Sequence, residues 1–241
     1  MIALSPIDGE RFGVVIARDA EVADATVALD LEFCRGNAVR MLIARCRTDD
    51  LAAAQALEAA GGRIMDTLLY FSRPVAGVDL PETRCPVPVR RVRPRDEEGV
   101  RAVAAEAFHG YRGHYHADPR LDPALCDEGY RSWAERACLQ RDVAGEVFVA
   151  DDGTVAGFGT LRLNDPTEGE GGLYAVARRA QGAGVYRALM VESLRWCQEQ
   201  GAERMIISTQ VTNLASQKVW SRLGFEPFRS YYTFHLWFDG K

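Results

Sequence analysis

The stretch that most constrains this chain runs from Gly172 to Gln200, where an apolar strand, a glycine turn and a long amphipathic helix follow one another. The strand reads Gly172-Leu173-Tyr174-Ala175-Val176-Ala177-Arg178, and the turn reads Gln181-Gly182-Ala183-Gly184-Val185-Tyr186. Val185, Leu189, Met190, Leu194 and Cys197 then fall on one helical stripe, and Gly201 stands where a helix-ending glycine belongs. Glycines directly ahead of a helix let unpaired amides converge on an anion, and the helix dipole adds attraction at the same point. A diphosphate suits such a turn. Gly-x-Gly also occurs in plain tight turns, so this stretch alone leaves both uses open.

A second stretch narrows the choice. Residues 213–225, Asn213-Leu214-Ala215-Ser216-Gln217-Lys218-Val219-Trp220-Ser221-Arg222-Leu223-Gly224-Phe225, read as a helix opened by asparagine and closed by Leu-Gly-Phe. Together the two stretches resemble the GNAT acetyltransferases, whose diphosphate loop follows Q/R-x-x-G-x-G/A and whose later signature is such an Asn-to-Leu-Gly-Phe helix. Gln181 and Gly184 fill their positions, while Tyr186 stands where the family usually has Gly or Ala. The resemblance covers about residues 88–238 and implies a GNAT fold, α/β with a mixed sheet. It also implies acetyl-CoA as cofactor and direct acetyl transfer to a primary amine.

The whole chain further resembles the two-domain sugar-nucleotide N-acetyltransferases of the dTDP-fucosamine type. Three segments carry that likeness: Ile7-Asp8-Gly9-Glu10-Arg11-Phe12-Gly13, the aromatic loop from Phe108 to Tyr115, and the helix bearing Tyr130 and Trp133. The acceptor this implies is the 4-amino group of a dTDP-linked dideoxyhexose. Another small amine or a peptide N-terminus is the alternative acceptor, and a catalytically silent acyl-CoA-binding module is the alternative class.

Composition excludes other classes. A chain of 241 residues, 47% apolar and 26% charged, buries a real core. Its net charge of −5 argues against nucleic acid as a partner. No apolar run approaches the roughly 20 residues of a membrane span, and the N-terminus lacks the pattern of a secretory signal. The six cysteines form no C-x-x-C pair and no metal-ligand spacing with histidine. Reduced thiols in a cytoplasmic protein without a metal are the expectation. The partner expected is a small-molecule amine, with a homodimer possible.

Along the chain, residues 10–20 read as an early strand, 21–34 as a helix, and 41–46 as a short strand. Asp49-Asp50 caps a helix that stops at Gly61-Gly62, and Ile64 to Phe71 forms the next strand. This unit has an internal echo. Residues 41–71 lie over 205–234 with one gap, so that Asp50 falls on Asn213, Gly61 on Gly224 and Phe71 on Phe234. Because the first copy lacks a glycine turn, it is expected to hold no diphosphate and to extend or buttress the sheet. The organisation is therefore a half-GNAT-like domain over 1–75, a proline-bearing linker over 76–88, and a catalytic domain over 89–241. In that last part a strand at 89–93 is followed by helices at 94–108 and from Asp122-Pro123, then a hairpin (146–150 and 154–163). An acidic loop (164–171) leads into the cofactor stretch, and an aromatic strand (228–238) ends the chain.

The resemblance places the cofactor on the strand Leu173, Tyr174, Ala175 and Val176, and on the turn Gln181, Gly182, Ala183, Gly184, Val185 and Tyr186. Asn213 either caps its helix or bonds the pantetheine arm, and both uses are compatible. The thiolate's proton donor departs from the family pattern, since Trp220 stands where a tyrosine commonly serves. An indole N–H donates a hydrogen bond but does not ionise usefully. Tyr231, Tyr232 and Tyr186 are the substitutes. For the amine's proton, His109, His114 and His116 lie in the loop expected to overhang the acceptor, with His114 the leading base. Glu168, Glu170 and Asp165 are rivals. Tyr111, His114, Tyr115 and His116 are the expected acceptor-binding residues.

Overall fold

The computed structural model describes residues 1–238; the last three, where the catalytic segment is expected to end, lie outside it. Among the described residues ten strands form one sheet. They are β1 (Ala3–Leu4), β2 (Ile16–Val22), β3 (Met41–Arg47), β4 (Arg63–Pro74), β5 (Val89–Arg91), β6 (Glu146–Asp151), β7 (Val155–Asp165), β8 (Glu168–Val176), β9 (Arg204–Gln210) and β10 (Glu226–Trp237). Their order across the sheet is β1-β2-β3-β10-β4-β9-β8-β7-β6-β5. Of the strand pairs among the described residues, only β2·β3 and β8·β9 run parallel.

Helices cover both faces. On one side lie α2 (Asp24–Gly36), α3 (Leu51–Ala59), α7 (Val185–Glu199) and α8 (Leu214–Arg222). They pack on Leu42, Ala44, Phe71, Met205, Ile207 and Phe234, the apolar positions of alternating strands. On the other side lie α1 (Pro6–Phe12), α4 (Glu97–Ala107), the short α5 (His114–Ala117) and α6 (Pro123–Leu139). Val100, Ala104 and Ala134 there pack on Val149, Phe158 and Leu173.

The capping signals read from the sequence hold. Asp50, Asp122 and Asn213 each accept a hydrogen bond from a first-turn amide of the helix they open. Two expectations fail. Residues 10–12 close α1 instead of opening a strand, because Pro6 starts a helix that Gly13 ends in the left-handed region at φ 69°. The acidic loop is mostly hairpin: β7 runs to Asp165 and β8 begins at Glu168. Its carboxylates are engaged, Glu168 with Arg204 and Asn164, Glu170 with Arg162, and Asp165 with Thr167.

The internal echo has a geometric counterpart. The units β3-α3-β4 and β9-α8-β10 interlock, so that each unit's second strand lies between the two strands of the other, as β3·β10·β4·β9. Central β10 and β4 are antiparallel, with Phe234 opposite Ile64 and Pro227 opposite Phe71. The equivalence of Phe71 with Phe234 maps the first of these pairs onto the second, as a local two-fold axis requires. Residues 76–88 carry no helix or strand.

Candidate active site

The sheet parts at one place. β8 and β9 pair only at Glu168–Gly171 with Arg204–Ile207. Beyond that, Tyr174–Val176 stay with β7 while Ser208–Gln210 stay with β4, and a wedge opens between the two parallel strands. A register shift in β8 produces the departure, and Thr160 Oγ1 accepts the Leu173 N–H at 2.7 Å there. Ala177 N–H likewise donates to Ala156 in β7. Since amides alternate sides along a strand, those of Tyr174 and Val176 face the wedge, and those of Leu173 and Ala175 do not. The Tyr174 ring lies where a side chain at Gly159 would be, since a Cβ there would come within 2.3 Å of it.

Below the wedge the chain makes the turn read from the sequence. Gly182 and Gly184 adopt φ of 81° and 83°, the left-handed region that disfavours a side chain. Among the described residues, none accepts from the amides of Gly182, Ala183, Gly184, Val185, Tyr186 or Arg187. These donors sit at the start of the fifteen-residue α7, where its dipole is positive. Gln181 braces the turn by donating to the Val176 carbonyl at 3.3 Å. An open groove of about 450 Å³ adjoins it, lined by Glu82, Thr83, Arg84, Cys85, Gly184 and Arg187.

Tyr186 does not crowd this turn. Its ring drops between α7 and α8, 5.9 Å from the Tyr174 ring, and its oxygen accepts the Trp220 indole N–H at 3.0 Å. Burial pushes its pKa up to about 12, against the opposing hydrogen bonds of Ser216 and Trp220. Trp220 is 2% exposed and packs on Phe71, so it belongs to the core. Asn213 is engaged at both polar atoms: its oxygen caps Ser216 and its amide donates to Thr209 Oγ1 at 2.9 Å.

The two C-terminal tyrosines are not brought to the wedge. Tyr231 and Tyr232 lie on β10, which β4 and β9 separate from β8 by about 14 Å at three strand spacings. Tyr231 donates to Glu21, and Tyr232 faces the opposite side beside Phe234. As proton donors at the cofactor they are set aside on this geometry.

The aromatic loop does lie over the opening. Tyr111 donates to Gln210 Oε1 at the end of β9. Tyr115 donates to Asp8 at 2.7 Å and accepts from Arg18, so the N-terminal helix anchors the loop from beneath. His109 and His116 share the Asp127 carboxylate at 3.0 and 2.9 Å.

His114 has different company. Its Nδ1 is 2.9 Å from His235 Nε2, and His235 Nδ1 is 2.7 Å from Asp118. Burial raises the Asp118 pKa, but hydrogen bonds from His235 and Trp237 outweigh it and hold the group ionised. A carboxylate end fixes the tautomers in turn. With both rings neutral, His235 donates from Nδ1 and accepts at Nε2, and His114 then donates from Nδ1 and keeps a lone pair on Nε2. Burial first, then His235 and Arg45, holds the His114 pKa well below its usual value, so the ring is neutral near pH 7. His235 escaped the sequence reading because nothing in a strand 121 residues away marks it as a partner of the loop.

A parted parallel pair with a free-amide turn beneath it matches what the sequence motifs imply. The Acetyltransferase (GNAT) family profile matches residues 108–225. The chain belongs to the GNAT acetyltransferase family. It is 32% identical over 171 residues to a mycothiol acetyltransferase of Amycolatopsis mediterranei, covering 66% of this chain and 53% of that protein. A spore coat polysaccharide biosynthesis protein of Bacillus subtilis is 26% identical over 144 residues, 60% of this chain and 48% of its own. The chain thus spans about half the length of these relatives. Among solved structures, a GCN5-related N-acetyltransferase from Sphaerobacter thermophilus superposes with a TM-score of 0.66 at 15% identity, over 98% of this chain and 76% of its own. A tandem GNAT protein from the clavulanic acid biosynthesis pathway gives 0.65 at 16%, over 94% and 76%. These two establish the shared fold.

Proposed function

We propose that this GNAT chain is an acetyl-CoA-dependent N-acetyltransferase whose acceptor is the primary amine of a nucleotide-linked amino sugar. The observation that carries the reading is the wedge between β8 and β9 with unpartnered amides at its foot. Gly182, Ala183, Gly184, Val185 and Tyr186 hold the diphosphate through main-chain N–H groups, and Arg187 adds positive charge beside them. The amides of Tyr174 and Val176 orient the pantetheine arm. Acetyl-CoA supplies the thioester from which the acetyl group passes to the amine.

His114 Nε2 offers its lone pair to an N–H of the attacking amine and orients it, and Asp118 acting through His235 holds the ring in the tautomer that leaves that lone pair free. Tyr186 supplies the proton to sulfur. Its oxygen already accepts from Trp220, which leaves the phenol hydrogen free to point elsewhere. Support for an amino sugar comes from the likeness to sugar-nucleotide acetyltransferases and to a polysaccharide biosynthesis protein.

Calorimetric titration with coenzyme A, followed by thiol release from acetyl-CoA with a panel of amines, tests this. Binding together with turnover on a dTDP-4-amino sugar is expected. Absence of CoA binding would remove the reading, and tight binding with no turnover on any amine would make the chain a silent acyl-CoA module.

A further inference from the structure

Three adjacent strands place a polar row on the sheet face beneath the aromatic loop. Thr233 of β10 pairs laterally with Arg45 of β3 on one side and with Asp66 of β4 on the other. Laterally paired residues point to the same face, so the three side chains stand in line. Each has a buried polar atom with no hydrogen-bond partner: Arg45 Nε, Thr233 Oγ1 and Asp66 Oδ1. Thr233 is 0% exposed, whereas Arg45 and Asp66 are half-buried. A buried polar group without a partner is costly and rare in a native fold, so three in one row point to an occupant that supplies the missing partners.

The row is joined to the reacting centre. Gln210 donates to Asp66 Oδ2 at 3.3 Å and accepts from Tyr111, at the end of β9 where the wedge is open. Immediately beyond the Thr233–Asp66 pair the ladder slips, with Phe234 opposite Ile64 and Met65 left over. Such a bulge re-aims neighbouring side chains and is frequent beside active sites. Arg45 and Asp66 also act on the same roof. Burial lifts the Tyr130 pKa, Asp66 adds to the rise, and Arg45 opposes it. Arg45 forms no ion pair among the described residues, with Asp66 or with any other carboxylate.

We infer that Asp66, Thr233 and Arg45 form the floor of the acceptor site, with Asp66 receiving the amine and Arg45 receiving oxygen atoms at the acceptor's far side. This rests on the transferase reading above and deepens it. The two strands that carry the charges are about 9–10 Å apart, two strand spacings, which suits one hexose-sized ring. A second ammonium at the far side would meet Arg45, so the class is a monoamine rich in hydroxyl or other oxygen acceptors. The N-terminal half then contributes two acceptor-binding residues, although it has no diphosphate turn of its own.

Glucosamine and cyclohexylamine, rings of one size with and without hydroxyls, are the probes. Thermal unfolding of the full chain is followed with each probe at 100 mM, and CoA affinity is measured separately for every variant. Glucosamine is expected to raise the wild-type Tm by about 2–4 °C and cyclohexylamine by less. Arg45→Gln should abolish that difference between the probes, and Asp66→Asn should abolish the shift from both. CoA affinity should remain within about twofold in both variants, which also shows that they fold. No glucosamine shift in the wild type, or a probe difference that survives Arg45→Gln, overturns the inference. Loss of CoA binding in the wild type would instead remove the transferase reading itself.

Discussion

Trp220 on α8 donates its indole N–H to the phenol oxygen of Tyr186 on α7, at 3.0 Å. The bond ties the helix that follows β9 to the helix that follows β8, across the opening where those strands part. If Trp220 merely replaced a missing acid, a Trp220→Tyr change would be expected to raise the rate. The structure reverses that expectation, because Trp220 packs on Phe71 in the core and orients Tyr186. Trp220→Phe, which removes the N–H and part of the volume, should cost about 1–3 kcal/mol of stability in urea unfolding. Both Trp220→Phe and Trp220→Tyr should lower kcat, and a rate gain in either would contradict the assignment of Tyr186.

Gly184→Ala isolates backbone geometry from steric clash. A Cβ at this position meets nothing within 4 Å, yet φ is 83°. Forcing a side chain into the left-handed region costs about 1–2 kcal/mol, so CoA affinity should fall by about tenfold in calorimetric titration as the turn relaxes. Unchanged affinity would mean that the diphosphate rests elsewhere.

Asp30 in α2 is a buried carboxyl with an unpaired oxygen, and its pKa is pushed up to about 6 by burial and then by Asp19. The sign follows from linkage. Above pH 6 the folded state holds a charge that the unfolded state carries more easily, and the penalty fades as pH falls from 6 toward 3.8. Asp30→Asn should therefore raise Tm at pH 8, with the gain shrinking through that window. An equal gain at every pH would locate the effect elsewhere.

His114 titrates with the opposite consequence. Burial and its cationic neighbours hold the folded pKa well below 6.5, so below pH 6.5 the unfolded chain takes up a proton that the folded one refuses. Stability contributed by the neutral ring is present above pH 6.5 and is lost as pH falls toward the folded value. In His114→Gln the loss of Tm between pH 6.5 and 5 should be smaller than in the wild type. The same substitution should lower kcat by about 10²-fold if the ring orients the amine.

Residues 89–241 without the N-terminal half should fail to fold. Among the described residues β10 has β3 and β4 as its only neighbours, and both come from the first 74 residues. Without them β10 has no partner and β9 loses one edge, which exposes strand and invites aggregation. A monomeric, cooperatively unfolding fragment would show instead that the catalytic part is self-sufficient.

Much of the molecule was legible in advance because the relevant physics is local. The turn at 181–184, the caps at Asp50, Asp122 and Asn213, and the stripe along α7 depend on residues within a turn or two of one another. The internal echo was also readable, since each copy is a short contiguous unit. What the pattern could not reveal was that the copies interlock, because strand order depends on which edges meet in space.

The site divides along the same line. Sequence by itself determined the glycine turn ahead of α7, the family and the loop that overhangs the opening, since these lie in continuous segments whose chemistry is carried by spacing. Only the tertiary structure decided that Trp220 is core and that Tyr231 and Tyr232 stand strands away from the wedge. It also decided that His114 completes a chain with His235 and Asp118, and that Arg45, Thr233 and Asp66 share one row. Those relationships join residues 20 to 190 positions apart through lateral strand register and helix packing, and a lateral register has no signature in any single strand.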